Sequence, residues 1–284
     1  MQWKYWAPWP YWSGSRSFLL LRDGVPIAHA GIVPLRFSLA GKTHTLVQLI
    51  DWAAEPRSVG TGVSLLKRIV ALADGAVSVR GSSMTQRILK PIGFRSLPGS
   101  VRYAAPICAA ARPLRSHLSL RIHARGRFAP LEHPLHDAES FADRIVFQRS
   151  AAQMLAWSTC PVAPMHYGEV FSGDRLAGTF LICFTPQQAR IADVWACDGA
   201  WDDVLELAHR HASESRDVVE VVCQTNDPAQ ARALLACGFT AAGTDPLAIL
   251  ASPGLVADGA FIPHHMIDSD LAYLHHGEFV PWLS

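Results

Sequence analysis

Arg57-Ser58-Val59-Gly60-Thr61-Gly62-Val63-Ser64-Leu65-Leu66-Lys67 decides how this chain is read. Before it, Thr43 to Trp52, with the apolar run Leu46 to Ile50, predicts a strand. After it, Leu65, Leu66, Ile69, Val70 and Ala73 recur at helical spacing. Lys67 and Arg68 lie on the other face, and Asp74-Gly75 ends the pattern, so a helix is expected to begin directly at Gly62. A strand, a glycine turn and an immediate helix make an anion site. Glycine lets the backbone approach a phosphate, and the first amides of the helix point outward with the positive end of the helix dipole behind them. Arg57, Gly60 and Gly62 fit that form, and Thr61 or Ser64 can add a hydroxyl. An ordinary glycine turn has the same local pattern, so the surroundings must decide.

Upstream, Phe18 to Arg22 and Pro26 to Leu35 read as strands joined at Asp23-Gly24, which supplies the positive φ of a tight hairpin. With Ala40-Gly41-Lys42 turning into the strand from Thr43, this is a three-stranded meander. Downstream come a strand at Ala76 to Arg80, a helix at Met84 to Pro91 and a strand from Phe94 to Ala104. Residues 107 to 135 are rich in Ala, Arg, Pro and His and read as a linker. The same order then returns. Strands are expected at Tyr167 to Phe171, Leu176 to Phe184 and Ala189 to Ala196, a helix at Trp201 to Ala212, a strand at Val218 to Cys223, a helix at Pro228 to Cys237 and a last strand near Leu247 to Ala251. We place domains at 1–112 and 113–284 and read the second as a diverged copy of the first.

Composition agrees with two modest domains, since the 284 residues exceed the usual single-domain length of roughly 100 to 200. The 25 Lys plus Arg against 24 Asp plus Glu argue against a nucleic-acid partner recruited by bulk charge. The six cysteines form no CxxC pair, which fits a reduced, cytoplasmic setting. No stretch approaches the roughly 18 apolar residues of a membrane span.

In this setting the turn matches, without a gap, the motif Q/R-x-x-G-x-G/A of the GCN5-related N-acetyltransferase (GNAT) superfamily, which the chain resembles. The family's second signature, a short helix ending in Gly-Phe, looks like Gln86 to Phe94 and again like Ala229 to Phe239. The resemblance covers residues 17 to 104 strongly and 140 to 250 more weakly. It implies an α+β fold with a mixed sheet: two tandem GNAT-like folds, each a mostly antiparallel sheet flanked by helices. It also implies that acetyl-CoA or another acyl-CoA is held through its pyrophosphate by Arg57, Val59, Gly60, Thr61, Gly62, Val63 and Ser64. In the second half the corresponding segment, Ala196 to Asp203, carries Asp198, Asp202 and Asp203 where phosphates would dock. A like-charge contact at about 4 Å costs about 4 kcal/mol at an effective dielectric near 20. These acids are expected to cap their own helix, and the second half to bind no CoA.

The resemblance implies acyl transfer to an amine or hydroxyl of a small-molecule or sugar acceptor, with a carboxylate base on the strand before the turn. Asp51 is that candidate, a desolvated carboxylate at the end of an apolar run; its alternative role is to pair with Arg80 or cap an amide. Trp52 and Arg80 are candidate acceptor contacts. Glu55 is expected to be solvated and able to orient Arg57. Ser82 and Ser83 stand where the family's sheet splays, so Ser83 is a candidate contact to the thioester and, equally, part of a helix cap. The family's tyrosine acid, four residues before the Gly of Gly-Phe, is replaced by Leu89 and Leu234.

The histidines His264-His265 and His275-His276, with Asp268, Asp270 and Glu278, lack a metal-ligand spacing, and no metal is expected. Asp268, Asp270 and Tyr273 either fold back as acceptor-site groups or belong to a solvated tail. Trp3, Trp6, Trp9 and Trp12 repeat every third residue. Because Pro8 and Pro10 forbid a regular helix through them, they are read as a packed lid, with sugar stacking as the alternative. Two rivals to an acyltransferase remain: a GNAT-like binding module without catalysis, and a tandem aminoacyl transferase, against which the near-neutral charge weighs. Nothing in the sequence addresses the oligomeric state.

Overall fold

Asp23 and Gly24 take φ of 51° and 80°, and Ala40 and Gly41 take 52° and 70°. These are the left-handed pairs that tight two-residue hairpins need. They join β1 (Ser17–Arg22), β2 (Val25–Leu39) and β3 (Lys42–Ala54) into the expected antiparallel meander. The structure, a computed structural model, describes residues 2–107, 117–124, 134–135, 137–141, 143–252, 254–274, 279 and 281–283. A short helix, α1 (Gln2–Trp6), precedes the meander. The prolines at 8 and 10 do bar a longer helix, but five residues ahead of them are helical.

The chain continues through α2 (Thr61–Val70), β4 (Gly75–Val79), α3 (Ser83–Ile92), β5 (Arg95–Pro106), β6 (Leu118–His123) and β7 (Glu139–Ser140). Then follow α4 (Ala151–Ser158), β8 (Met165–Ser172), β9 (Arg175–Thr185), β10 (Gln188–Ala196), α5 (Trp201–Ser213), β11 (Glu220–Thr225), α6 (Pro228–Ala236) and β12 (Thr240–Ala251). Three elements, β6, β7 and α4, lie where a linker was read or nothing was read. Strand β6 pairs with β8, and α4 begins at a capping box in which Ser150 and Gln153 satisfy each other's backbone amides. That Ser-x-x-Gln spacing is legible in the sequence, and so, within a stretch whose overall periodicity is weak, is the alternation of Leu118, Leu120 and Ile122 with Ser119, Arg121 and His123 in β6.

Two compact units form, and neither is a continuous stretch. The first comprises Met1–Gly99, Leu135–Arg149 and Asp245–Ile262; the second comprises Ser100–Pro134, Ser150–Thr244 and Pro263–Ser284. In the first, β3 and β4 are parallel over Leu46↔Gly75 to Gln48↔Val77, and the C-terminal part of β12 lies antiparallel to β4 over Leu247↔Val79 to Ala251↔Gly75. In the second, β10 and β11 are parallel over Gln188↔Glu220 to Ile191↔Cys223, and β5 lies antiparallel to β11 over Val101↔Thr225 to Pro106↔Glu220. Each unit therefore takes the strand beside its parallel pair from the opposite half of the sequence. An exposed strand edge accepts any strand of suitable pattern, so sequence order does not reveal the exchange.

Each unit has its own core. Ile32, Val47, Leu66, Ile69, Leu89 and Phe94 anchor the first, and Phe180, Ile191, Val204, Leu205, Leu234 and Phe239 anchor the second. Leu89 and Leu234, at the positions where the family resemblance placed a tyrosine, are 1% and 0% exposed and serve this packing. No helix among the described residues is long and apolar enough to cross a membrane.

Candidate functional site

The turn at 57–62 is built from its own side chains. Ser58 N–H donates to the Glu55 carbonyl at 3.0 Å and Ser58 Oγ to Glu55 Oε2 at 2.9 Å, while Thr61 N–H and Oγ1 donate to the Ser58 carbonyl at 3.2 and 2.7 Å. Glu55 thus braces the turn through Ser58. Thr61 has spent its hydroxyl proton on the backbone, which removes it as a hydroxyl donor to a ligand; Ser64 is exposed. Gly60 caps α2 at φ 82°, with no side-chain cap, and the helix ladder starts with Ser64 N–H to the Gly60 carbonyl at 2.9 Å. The amides of Gly60, Gly62 and Val63 have no backbone acceptor among the described residues. Arg57 is exposed beside them without an ion pair among the described residues, and Val59 is 94% exposed.

Gly62 is favoured for another reason. A Cβ there would lie 3.1 Å from Ala54 Cβ and 3.3 Å from Trp52 Nε1, so the first turn of α2 sits directly on β3. Trp52 Nε1–H donates to the Gly62 carbonyl at 3.1 Å and fixes that contact. The strand and the anion turn are thereby held as one rigid piece.

Asp51 lies where β3 bulges. Ala53 pairs with His29 and Ile50 with Gly31, so Asp51 and Trp52 together oppose Ala30, and Asp51 takes φ 50°. A bulge re-aims side chains and ends regular pairing. Beyond Gln48 and Val77, β3 and β4 no longer pair, so the bulge stands at the mouth of a widening gap between them. The Asp51 carboxylate is 28% exposed, less desolvated than the apolar run before it suggests. Its Oδ2 meets Tyr5 Oη and Lys4 Nζ, both from α1. Its carbonyl meets His29 Nδ1 at 3.1 Å, and His29 Nε2 meets Ser17 Oγ at 3.0 Å. A carbonyl can only accept, so Nδ1 carries the proton.

Arg80 is not the partner of Asp51. It pairs with Asp245 at 2.6 Å, and its carbonyl accepts from Gln86 Nε2. Ser82 is the N-cap of α3, accepting from Thr85 N–H at 3.2 Å, which leaves Ser83 exposed in the first helical turn.

The second unit repeats the frame with different contents. Its parallel pair also parts beside a bulge, at Asp193 on β10. There the segment Met266–Asp268 lies against β10 and β11, and Arg190 Nη1 donates to the Leu271 and Leu274 carbonyls, each at 2.7 Å. Asp268, Asp270 and Tyr273 are buried in this unit, with Asp268 Oδ2 accepting from His265 N–H at 2.9 Å. A solvated tail is therefore ruled out for residues 263–274, and its apolar side chains Met266, Ile267 and Ala272 are the reason. His265 pairs with Asp193 at 3.7 Å; His275, His276 and Glu278 lie outside the described residues. Helix α5 starts at Ala200, whose own side chain offers no cap. Asp202 and Asp203 place two acids in its first turn, as expected of acids that stabilise their own helix start, and there they favour the helix dipole and repel anions.

An antiparallel meander whose third strand bulges at Asp51, runs through a glycine turn into α2 and then pairs in parallel with β4 only as far as Gln48 and Val77 settles the architecture. The chain has the GCN5-related N-acetyltransferase fold. Solved structures share it. A GCN5-related N-acetyltransferase from Anabaena variabilis aligns with a TM-score of 0.57 and 14% identity, over 82% of this chain and 62% of that one. A probable N-acyltransferase from Enterococcus faecalis aligns with a TM-score of 0.55 and 11% identity, over 82% and 61%. A tandem GNAT protein from the clavulanic acid biosynthesis pathway aligns with a TM-score of 0.52 and 12% identity, over 82% of both chains. This chain therefore spans less than two thirds of the first two and most of the third. No protein-family model and no curated protein matches the sequence. At these identities the likeness carries the GNAT fold and leaves the activity to be argued from the site.

Proposed function

We propose that the first GNAT unit binds an acyl-CoA through the turn at residues 57–62 and transfers its acyl group to an amine, or a hydroxyl, of a small-molecule acceptor. One observation carries the reading: the amides of Gly60, Gly62 and Val63 at a helix N-terminus, without a backbone acceptor among the described residues, with Arg57 exposed beside them. Charge-assisted bonds from backbone amides and a guanidinium suit a pyrophosphate. The close seat of Gly62 on Trp52 and Ala54 fits the small residue, Gly or Ala, that the family motif carries at this position, since a larger side chain would push the helix start off the strand. Acyl-CoA would supply the activated thioester. Asp51 would take the acceptor's proton through Oδ1, which has no partner among the described residues. The unit-two counterpart carries acids at its helix start and a tail against its strand gap, which supports CoA binding by the first unit only.

Calorimetry with CoA tests binding, and CoA release from acetyl-CoA over a panel of amines, amino sugars and peptides tests transfer. Binding is expected with one site per chain, and turnover is expected to fall at least about tenfold in Asp51→Asn. A chain that takes up no CoA ends the proposal. CoA binding without turnover would favour a non-catalytic binding module, the reading that the core positions of Leu89 and Leu234 support.

A further inference from the structure

The proposed base is held by the N-terminal helix and not by its own sheet. Tyr5, 7% exposed, donates Oη–H to Asp51 Oδ2, and Lys4 Nζ forms an ion pair with the same oxygen. Nothing among the described residues engages Oδ1. A carboxylate pinned through one oxygen by two donors presents the other in a fixed direction.

The pin is itself well supported. The Tyr5 ring lies over Gly31, where a Cβ would come within 2.9 Å of Tyr5 Cε1, and stands edge-on to His29 at 5.6 Å. Helix α1 is anchored by Arg16, which is 4% exposed, donates from Nη2 to the carbonyls of Trp3 and Ala7 at 3.1 and 3.0 Å, and stacks on Trp9 at 4.8 Å. Of the Trp-rich segment, Tyr5 and Trp9 are buried while Trp6 is 65% exposed, and the packed part carries Lys4 and Tyr5 to the bulge. The backbone of Asp51 is fixed separately, through His29 and Ser17.

Building on the acyl-transfer reading, we propose that Lys4 and Tyr5 are positioning residues that aim Asp51 Oδ1 at the acceptor. The proton balance is simple. One proton leaves the acceptor nitrogen or oxygen for Oδ1 as its lone pair attacks the acyl carbon; the tetrahedral adduct then collapses with cleavage of the C–S bond, CoA leaves as its thiolate and takes a proton from water, and the proton on Oδ1 passes to water at the carboxylate's exposed side, both Oδ2 contacts persisting throughout. Neither Lys4 nor Tyr5 changes protonation in this step.

The test uses the intact chain and acetyl-CoA with the amine panel above. Tyr5→Phe keeps the ring over Gly31, and Lys4→Met keeps the alkyl stem. Each is expected to lower kcat about tenfold while KM for acetyl-CoA and the calorimetric Kd for CoA stay within about twofold. Lys4→Arg should restore most of kcat. A readout independent of turnover is carbodiimide and glycine ethyl ester labelling of Asp51, read by peptide mass spectrometry, which should rise severalfold in both variants as Oδ2 is released. Unchanged kcat and unchanged labelling in both variants would overturn the inference alone. An intact chain that binds CoA but never turns over would overturn it together with the transfer reading, and loss of CoA binding in the variants would reassign the two residues to structural support.

Discussion

The sharpest perturbation of the anion turn is Gly60→Glu. An added Cβ at Gly60 meets no atom within 4 Å, so the side chain enters open space and clashes with nothing. Two costs remain. The residue sits at φ 82°, where an L side chain loses about 1–2 kcal/mol, and that cost is shared by Gly60→Ala. The second cost belongs to the carboxylate alone. A unit charge about 4 Å from a phosphate charge costs about 4 kcal/mol at an effective dielectric near 20 and about 1 kcal/mol in water. Gly60 is exposed, so the lower part of that range applies. About 1–2 kcal/mol predicts that Gly60→Glu binds CoA about 5- to 30-fold more weakly than Gly60→Ala. Calorimetry at low salt measures the ratio, and added salt should shrink it. Urea unfolding should show the two variants equally destabilised. Equal CoA affinity in the two, with both folded, would show that no anion docks at these amides.

Arg57→Ala should weaken CoA about three- to tenfold and leave the unfolding midpoint unchanged, because the side chain is exposed and makes no ion pair among the described residues. Burial, reinforced by the neighbouring His211, holds His166 below the usual histidine range, and burial does the same for His209. Both are favoured neutral in the fold while the unfolded chain takes up protons below about pH 6.5. Their contribution is therefore present above about pH 6.5 and lost as pH falls through the lower folded values. Urea unfolding from pH 7.5 to 5 should show that loss, and His209→Gln should flatten it. Glu220 is 1% exposed and accepts from Gln188 Nε2 at 2.6 Å, Trp282 N–H at 2.9 Å and Leu283 N–H at 3.0 Å. Glu220→Ala leaves Gln188 without that acceptor and should destabilise the second unit by about 2–3 kcal/mol in urea unfolding.

The glycine turn was legible because glycine chemistry is local. Gly60 needs its φ and Gly62 its close approach whatever else the chain does. Helix α2 and the hairpins at Asp23-Gly24 and Ala40-Gly41 follow from periodicity and turn preference in the same way. Asp51 was legible as a carboxylate near the end of β3, but its partners were not. Lys4 and Tyr5 lie more than forty positions away, and the only sequence signal near them, the tryptophan repeat, concerns packing. The expected Arg80 partner is instead drawn to Asp245, which β12 brings alongside β4.

By itself, then, the sequence determined those features that depend on neighbouring residues: the meander, the glycine turn with its helix, and the acids at the start of α5 in the second half. Only the tertiary structure decided which strand completes each unit, what holds the Asp51 carboxylate, and that Met266 to Tyr273 is buried against the second unit's parting strands. The physical reason is that strand edges, bulges and unpaired donors are satisfied by whatever the fold brings within about 3 Å, and such proximity leaves no mark on sequence spacing.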